Sequence, residues 1–197
     1  MIERGEQWGV PTTCTPSDVM VTGDYELSLS TTDSRLIVCG GDIAHSLGDP
    51  QPPIVGDNCT EVPIDALRVL ITLRNGTTHS YIAASHVMIG EWLRGRLVCV
   101  SNSGFIGTRN VSPRAHPNDG LFDVMILAPV SKIEFLKVFP KVFSGKHISH
   151  PAVTIRRCRE ITIEADAIAY SDGERVGPLP ITAKVVPKAL HTWHRNH

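Results

Sequence analysis

Carboxylates stand at turn positions in several places along this chain, and their spacing decides what chemistry they can support. Asp119 and Asp123 share one loop, Asn118-Asp119-Gly120-Leu121-Phe122-Asp123. Two carboxylates that close in sequence can ligate a hard cation through oxygen. Asp172 and Glu174 flank Gly173 in Ser171-Asp172-Gly173-Glu174. Read locally, this is an Asp-Gly hairpin turn between two short apolar runs. Asp42 follows Gly40-Gly41 after the apolar run Leu36-Ile37-Val38-Cys39, where it reads as the N-cap of a short helix. His191, His194 and His197 have a spacing that can hold a metal, but at this end of the sequence they read as a mobile tail. Arg156, Arg157 and Arg159, with Lys132, Lys137, Lys141 and Lys146, form two basic clusters. These read first as solvated faces and second as a surface attracted to anionic lipid headgroups.

Composition bounds what these groups can serve. With 197 residues the chain can form one domain plus a small appendage, and a chain of that size buries roughly 70% of its unfolded surface. Lys+Arg 19 against Asp+Glu 20 leaves a net charge of −1, which argues against nucleic acid as a partner. The five cysteines, Cys14, Cys39, Cys59, Cys99 and Cys158, are scattered and odd in number, the pattern of a reduced, cytoplasmic protein. In that setting the sequons at Asn58, Asn75 and Asn110 carry no glycan. The opening Met1-Ile2-Glu3-Arg4 has no apolar signal region, and no apolar run approaches the ~20 residues of a membrane span.

The elements that must position these residues are mostly strands. Residues 1–48 read as a small α/β piece, with strands near 18–22 and 36–39 and short helices near 25–29 and 43–47. The run Gly48-Asp49-Pro50-Gln51-Pro52-Pro53 breaks all regular structure and marks a linker over 49–61. From residue 62 to 190 the pattern is β-rich. Leu67, Val69, Ile71 and Leu73 alternate up to Asn75-Gly76, a hairpin signal whose two turn residues favour positive φ. Further strands are expected at 97–101, 121–127, 153–155, 161–165 and 181–186, with one face in and one face out, and a tail over 191–197. One helix interrupts them. Ser131 and Glu134 have capping-box spacing, Ile133, Leu136 and Phe139 form its apolar stripe, Pro140 kinks or ends it, and Gly145 stops it.

The order of motifs resembles the diacylglycerol kinase and sphingosine kinase family, specifically its C-terminal half. The resemblance begins with an apolar strand ending in Asn102. It continues through a bend with Gly107, then Pro113 and Ala115, then Asp119-Gly120 and Asp123 before another strand. Asn118 stands where the family usually has Asp. Gly145 and His147 match the family's Gly-x-His after the helix, and Asp172-Gly173-Glu174 matches its late Asp-Gly-Glu. Pro180, Val185-Val186-Pro187 and Ala189-Leu190 match its closing pattern. Gly40-Gly41-Asp42-Ile43-Ala44-His45 is similar to the segment that ends the family's nucleotide domain, with Gly41 replacing Asn and His45 replacing Arg.

The resemblance implies an α+β, mainly β fold: a C-terminal β-sandwich of the diacylglycerol kinase/NAD kinase-like type beside a truncated remnant of the nucleotide domain. It implies that Glu174 is the general base toward a lipid hydroxyl and Asp172 its partner. It implies nucleotide contacts at Gly40, Gly41 and Asp42, and a structural Mg2+ at Asp119 and Asp123, weakened by Asn118. The family's phosphate loop, Gly-Gly-Asp-Gly-Thr, has only Thr22-Gly23-Asp24-Tyr25-Glu26 as a counterpart. Tyr25 replaces a glycine, and Glu26 sets negative charge where phosphate would lie. ATP is therefore expected to bind poorly, since phosphoryl transfer rests on positioned charge. The leading expectation is a lipid-binding or regulatory module without ATP-dependent transfer, cytoplasmic and at most peripheral to a membrane. It would act as a homodimer or with a separate nucleotide-domain chain. The rival is an active lipid kinase working with a partner subunit, and an unrelated β-sandwich binding module comes third.

Overall fold

The computed structural model describes residues 9–30, 35–48, 51–73, 75–91, 94–142, 150–164, 167–178 and 180–195. The N-terminal part contains β1 (Val10–Thr13), β2 (Val19–Val21), α1 (Asp24–Ser28), β3 (Leu36–Val38) and α2 (Gly41–Ser46). The strand-rich part follows with β4 (Asn58–Thr72), β5 (Thr78–Ala83), β6 (His86–Glu91), β7 (Arg94–Ser101), β8 (Phe105–Ile106), β9 (Arg109–Asn110) and β10 (Phe122–Leu127). It ends with α3 (Lys132–Val142), β11 (Val153–Cys158), β12 (Glu160–Ile163), β13 (Ile168–Ser171), β14 (Glu174–Pro178) and β15 (Ile181–Arg195). The fold is mainly β, with a small N-terminal α/β part, as the sequence implied.

Two sheets face each other. The first has the order β1-β4-β15-β3-β2, with β5 added on β4 and β12 on β15; the second has the order β11-β10-β7-β6-β13-β14. Between them Leu67, Val69, Ile71, Ile181 and Ala183 of the first sheet meet Val87, Val100, Phe122, Val124 and Ala169 of the second. A second core gathers Val62, Ile64, Ala66 and Leu190 with Leu36, Val38, Leu27 and Ile43 of the N-terminal elements.

Strand parity explains how β4 serves both cores. Side chains alternate sides along a strand. Positions 62, 64 and 66 therefore face one side, and 67, 69 and 71 face the other. The change of buried side falls between Ala66 and Leu67, beside Asp65, which is 1% exposed. Its partner strand bulges there, since Val186 pairs with Ala66 and Leu190 with Ile64. Lys188, inside the bulge, has a left-handed φ of 50°. The backbone N–H groups of Lys188 (2.8 Å) and Gly120 (2.7 Å) donate to the two Asp65 carboxylate oxygens. Asn102 Nδ2 donates to the Asp65 carbonyl at 2.7 Å.

Several expectations change. The linker is shorter than 49–61, because β4 begins at Asn58 and Cys59 is buried. The tail over 191–197 is strand as far as Arg195, paired with β4 and in parallel with β3. Trp193 is buried, and the Arg35 guanidinium lies 4.7 Å above its ring. His191 Nδ1 sits 2.8 Å from Glu61 Oε1, so it is paired rather than waiting in a metal set. At the first hairpin Gly76 has positive φ, 84°, and its N–H bonds back to Leu73.

The helix α3 runs through Pro140 to Val142. Half of its capping box forms: Glu134 N–H donates to Ser131 Oγ at 3.2 Å, while the Glu134 carboxylate turns to His150 at 3.6 Å. The stripe that packs is not the one starting at Ile133. Among the described side chains of the helix Phe135 is buried, against Leu97, Cys99, Met125 and Leu127, and Ile133 and Leu136 are exposed; the Phe139 side chain lies outside the described ones. Gly145 and His147 lie outside the described residues.

Asp65→Ala is expected to lower stability by about 2–4 kcal/mol, the cost of leaving two buried N–H groups without acceptors. Urea unfolding of the two proteins measures it. A change within experimental scatter would show that the strand switch does not depend on this carboxylate.

Candidate functional site

The end of the molecule where β6 begins and β7 and β13 end brings together side chains far apart in sequence. Asp42, the second residue of α2, lies at the centre. The N-cap of α2 is Gly40, whose side chain is absent, so Asp42 does not cap the helix as its position suggested. It reaches outward instead. Its Oδ2 accepts from Ser85 Oγ at 2.8 Å and lies 2.8 Å from His86 Nδ1, and its Oδ1 accepts the Gly107 N–H at 2.6 Å. Ser103 Oγ donates to the Asp42 carbonyl at 3.0 Å, which ties α2 to the end of β7.

Asp24 supplies the missing cap from another helix. Its two carboxylate oxygens accept the N–H groups of Asp42 (2.6 Å) and Ile43 (3.0 Å). Gly41 makes this approach fit: its φ is 87°, and a Cβ there would stand 2.7 Å from the Asp24 carboxylate. Gly40 is constrained as well, because its Cβ would stand 2.5 Å from the Thr22 carbonyl oxygen. The glycine pair thus packs α2 against β2 and Asp24. These residues were expected to contact nucleotide; here they have structural employment.

Asp172 and Gly173 both have positive φ, 47° and 89°, with Ser171 paired to Glu174. That is a two-residue hairpin turn whose conformation Asp-Gly favours. The Asp172 carboxylate accepts the N–H groups of Ala84 (2.7 Å), Ser85 (3.0 Å) and His86 (2.9 Å). It therefore fixes the turn that carries His86. Glu174 begins β14 on the exposed side of the same hairpin, and among the described residues its carboxylate has no bonded partner.

Crowded carboxylates titrate abnormally. Burial pushes the Asp24 carboxyl up to about 6, with the nearby charges of Asp42 and Asp172 adding to it against the two N–H donors. Burial also raises Asp172, opposed by its three N–H donors and by His86. Burial would lower His86, but its bond to Asp42 and the charges of Asp42, Asp172 and Asp24 outweigh that and raise it. Asp24, Asp172 and His86 therefore release their protons at higher pH than the free side chains do. Sequence reasoning missed His86, Ser85, Ser103 and the inward role of Asp24, because nothing in their local spacing links residues 24, 42, 86 and 172.

The second acidic pair is elsewhere, at the start of β10. Arg157 of β11 stands between Asp119 and Asp123: its guanidinium bonds Asp119 Oδ2, and its Nε is 3.1 Å from Asp123 Oδ1. The remaining oxygens are also engaged, Asp119 Oδ1 by the Leu121 N–H at 3.0 Å and Asp123 Oδ2 by Ser112 Oγ. Asn118 faces away, its Nδ2 donating to the Pro63 carbonyl at 2.7 Å. Among the described residues no third carboxylate, histidine or cysteine joins the pair. Arg157 stands between the two carboxylates and offsets one of their two charges, so the pair as arranged is not open to the expected Mg2+.

Both arrangements make measurable predictions. An aspartate titrates near 3.8 when unfolded, and Asp24 titrates at about 6 when folded. His86 is raised above its usual 6.5. Groups that hold protons more tightly when folded contribute stability below their unfolded pKa, and it is lost as pH rises through the folded one. Asp18, lowered despite its burial because Arg35 and Thr15 bond it, acts only below 3.8. The melting temperature is expected to fall as pH climbs from about 4 to beyond 6.5. Asp24→Asn flattens the lower part of that slope, and an unchanged profile would contradict the raised titration of Asp24. For the other pair, Arg157→Ala is expected to cost about 1–2 kcal/mol, and added Mg2+ to restore part of it. The native chain should melt identically with Mg2+ or chelator; stabilisation of the native chain by Mg2+ would overturn the role given to Arg157.

Comparison with known proteins agrees with the geometry. Residues 61–194 match the family described as the YegS C-terminal NAD kinase beta sandwich-like domain. Diacylglycerol kinases from two Mycobacterium tuberculosis strains are 32% identical over 88 residues, which is 44% of this chain and 28% of theirs. The match thus spans little more than a quarter of those relatives. A solved diacylglycerol kinase from Bacillus anthracis superposes over 91% of this chain and 76% of its own, with a TM-score of 0.60 and 14% identity. A putative diacylglycerol kinase from the same organism gives 0.56, at 14% identity, over 91% of this chain and 78% of its own. These structures share the fold. The chain belongs to the diacylglycerol kinase family, within which it carries the YegS-type C-terminal NAD kinase β-sandwich-like domain.

Proposed function

We propose that this chain is the acceptor-side module of a lipid kinase, binding a diacylglycerol-like lipid or regulating such a reaction, without ATP-dependent transfer of its own. One observation carries the reading. In the segment Thr22 to Glu26, the Thr22 N–H donates to Glu26 Oε2 at 2.9 Å. A phosphate loop works by offering such N–H groups to anionic oxygens. Here a carboxylate of the same chain takes the donor and adds like charge beside it. Asp24, next in the segment, is turned inward to α2. The family relationship supports a lipid with a hydroxyl group as the ligand class, since the curated relatives are named as diacylglycerol kinases.

The second reading is an active lipid kinase whose nucleotide loop comes from a partner subunit. The exposed Glu174, whose carboxylate has no bonded partner among the described residues, favours it. Beside the rigid Asp172 turn, Glu174 can take the proton of a lipid hydroxyl as that oxygen attacks the γ-phosphorus and ADP leaves.

Calorimetric titration of MgATP into the chain is expected to give no binding heat. Micromolar affinity would refute the leading reading. For the second, Glu174→Gln abolishes turnover in the reconstituted complex while leaving the melting curve unchanged. An active Glu174→Gln complex would eliminate Glu174 as the base.

A further inference from the structure

The outer face of α3 is the least explained surface of this molecule. The helix is anchored from one side, where Phe135, 8% exposed, sits against the second sheet. On the opposite side Ile133 and Leu136 are 70% and 71% exposed. At about 100° per residue, Leu136, Pro140 and Ile133 fall within a ~60° sector, with Lys132 ~40° to one side and Lys137 ~40° to the other. Both lysines are exposed. The acidic residue of the helix, Glu134, lies outside this sector and pairs with His150. Ile155, 44% exposed on the edge strand β11, is paired with Met125 and so lies on the sheet face that α3 covers.

An apolar strip with a lysine along each border is the pattern of a helix lying in a bilayer interface. The apolar side chains enter the acyl boundary, and the lysine stems lie along it with their ammonium groups at the phosphates. A second copy of the chain is a poorer occupant. A stable interface needs roughly 800 Å2 from each partner and is depleted in lysine at its centre. A few side chains bordered by lysines fit an anionic surface better. No helix among the described residues is long and apolar enough to cross a membrane, so attachment here is peripheral.

We propose that the Ile133–Leu136 face of α3, bordered by Lys132 and Lys137, docks the protein on an anionic bilayer surface. This surface is separate from the cluster around Asp42, and docking needs neither nucleotide nor lipid turnover. Its failure is therefore distinguishable from failure of the kinase-module reading.

The test is co-sedimentation of the full chain with vesicles of phosphatidylcholine alone and of phosphatidylcholine mixed with phosphatidylglycerol, without nucleotide or diacylglycerol. The chain is expected to pellet with the mixed vesicles, to remain in solution with the neutral ones, and to release as salt rises. Lys132→Gln with Lys137→Gln weakens binding about thirtyfold, the ~2 kcal/mol of two lysines near an anionic surface. Ile133→Asp with Leu136→Asp abolishes it while the melting temperature holds, because both positions are already exposed. Equal pelleting of the aspartate variant overturns the proposal, as does pelleting with neutral vesicles alone. Size-exclusion chromatography gives the remaining outcome: a dimer that the aspartate variant converts to monomer assigns the face to a second copy instead.

Discussion

Backbone N–H groups donating to buried carboxylates hold this molecule together where its two cores meet. A carboxylate taken out of water costs several kcal/mol unless its charge is compensated. Asp24, Asp65 and Asp172 are compensated by main-chain donors at places where regular structure would leave those donors without acceptors, and Asp42 by Ser85, His86 and the Gly107 N–H. Those places are the first turn of α2, the bulge of β15, and the turn leading into β6. Charge-assisted bonds of this kind are stronger than neutral ones. Each one ties a segment to a partner 18 to 123 residues away in sequence. Burial with nearby charge raises Asp24, and the bond to Asp42 with nearby carboxylates raises His86, so the seam that stabilises the fold is also sensitive to pH.

The seam exists because β4 and β15 are each 15 residues long and belong to both halves. Their outer parts pack with β3, α1 and α2, and their inner parts line the sandwich. The N-terminal elements are thus built onto a sheet that the sandwich also uses, through the parallel pairing of β15 with β3. A domain boundary drawn at a proline-rich linker describes the chain path and not the packing. The loop around Asn118 to Asp123 joins the same seam, since Asp65 receives Gly120 while Arg157 neutralises the carboxylates on the other side.

Two surfaces among the described residues differ in character. The cluster around Asp42 is saturated with protein donors, which suits orientation of a hairpin better than coordination of metal or phosphate. Glu174 is the carboxylate of that hairpin left facing solvent. The α3 face is apolar and basic, and nothing described packs on it.

Local pattern carried much of the fold. Alternation at Leu67, Val69 and Ile71 marked a half-buried strand, and Asp172-Gly173 marked a hairpin, because side-chain period and turn φ are set by neighbours in sequence. The family order of Asn102, Pro113, Asp119 and Asp172 placed the β-sandwich. Other features had no local sign. Asp65 looks like an ordinary polar residue in a strand until the bulge of β15 arrives opposite it. Arg157 looks like a solvated cation until β11 pairs with β10 and brings it to Asp119 and Asp123. On α3 the sequence pointed to the stripe starting at Ile133, and only the sheet beneath chose Phe135. The sequence by itself determined many of the strands, the Asp172-Gly173 turn, and which family supplied the fold; β6 and the ends of β4 and β15 emerged only in the folded chain. The tertiary structure alone decided which carboxylates were buried, what each accepted, and which apolar face stayed in water. Burial and long-range hydrogen bonding depend on partners that only the folded chain brings within reach.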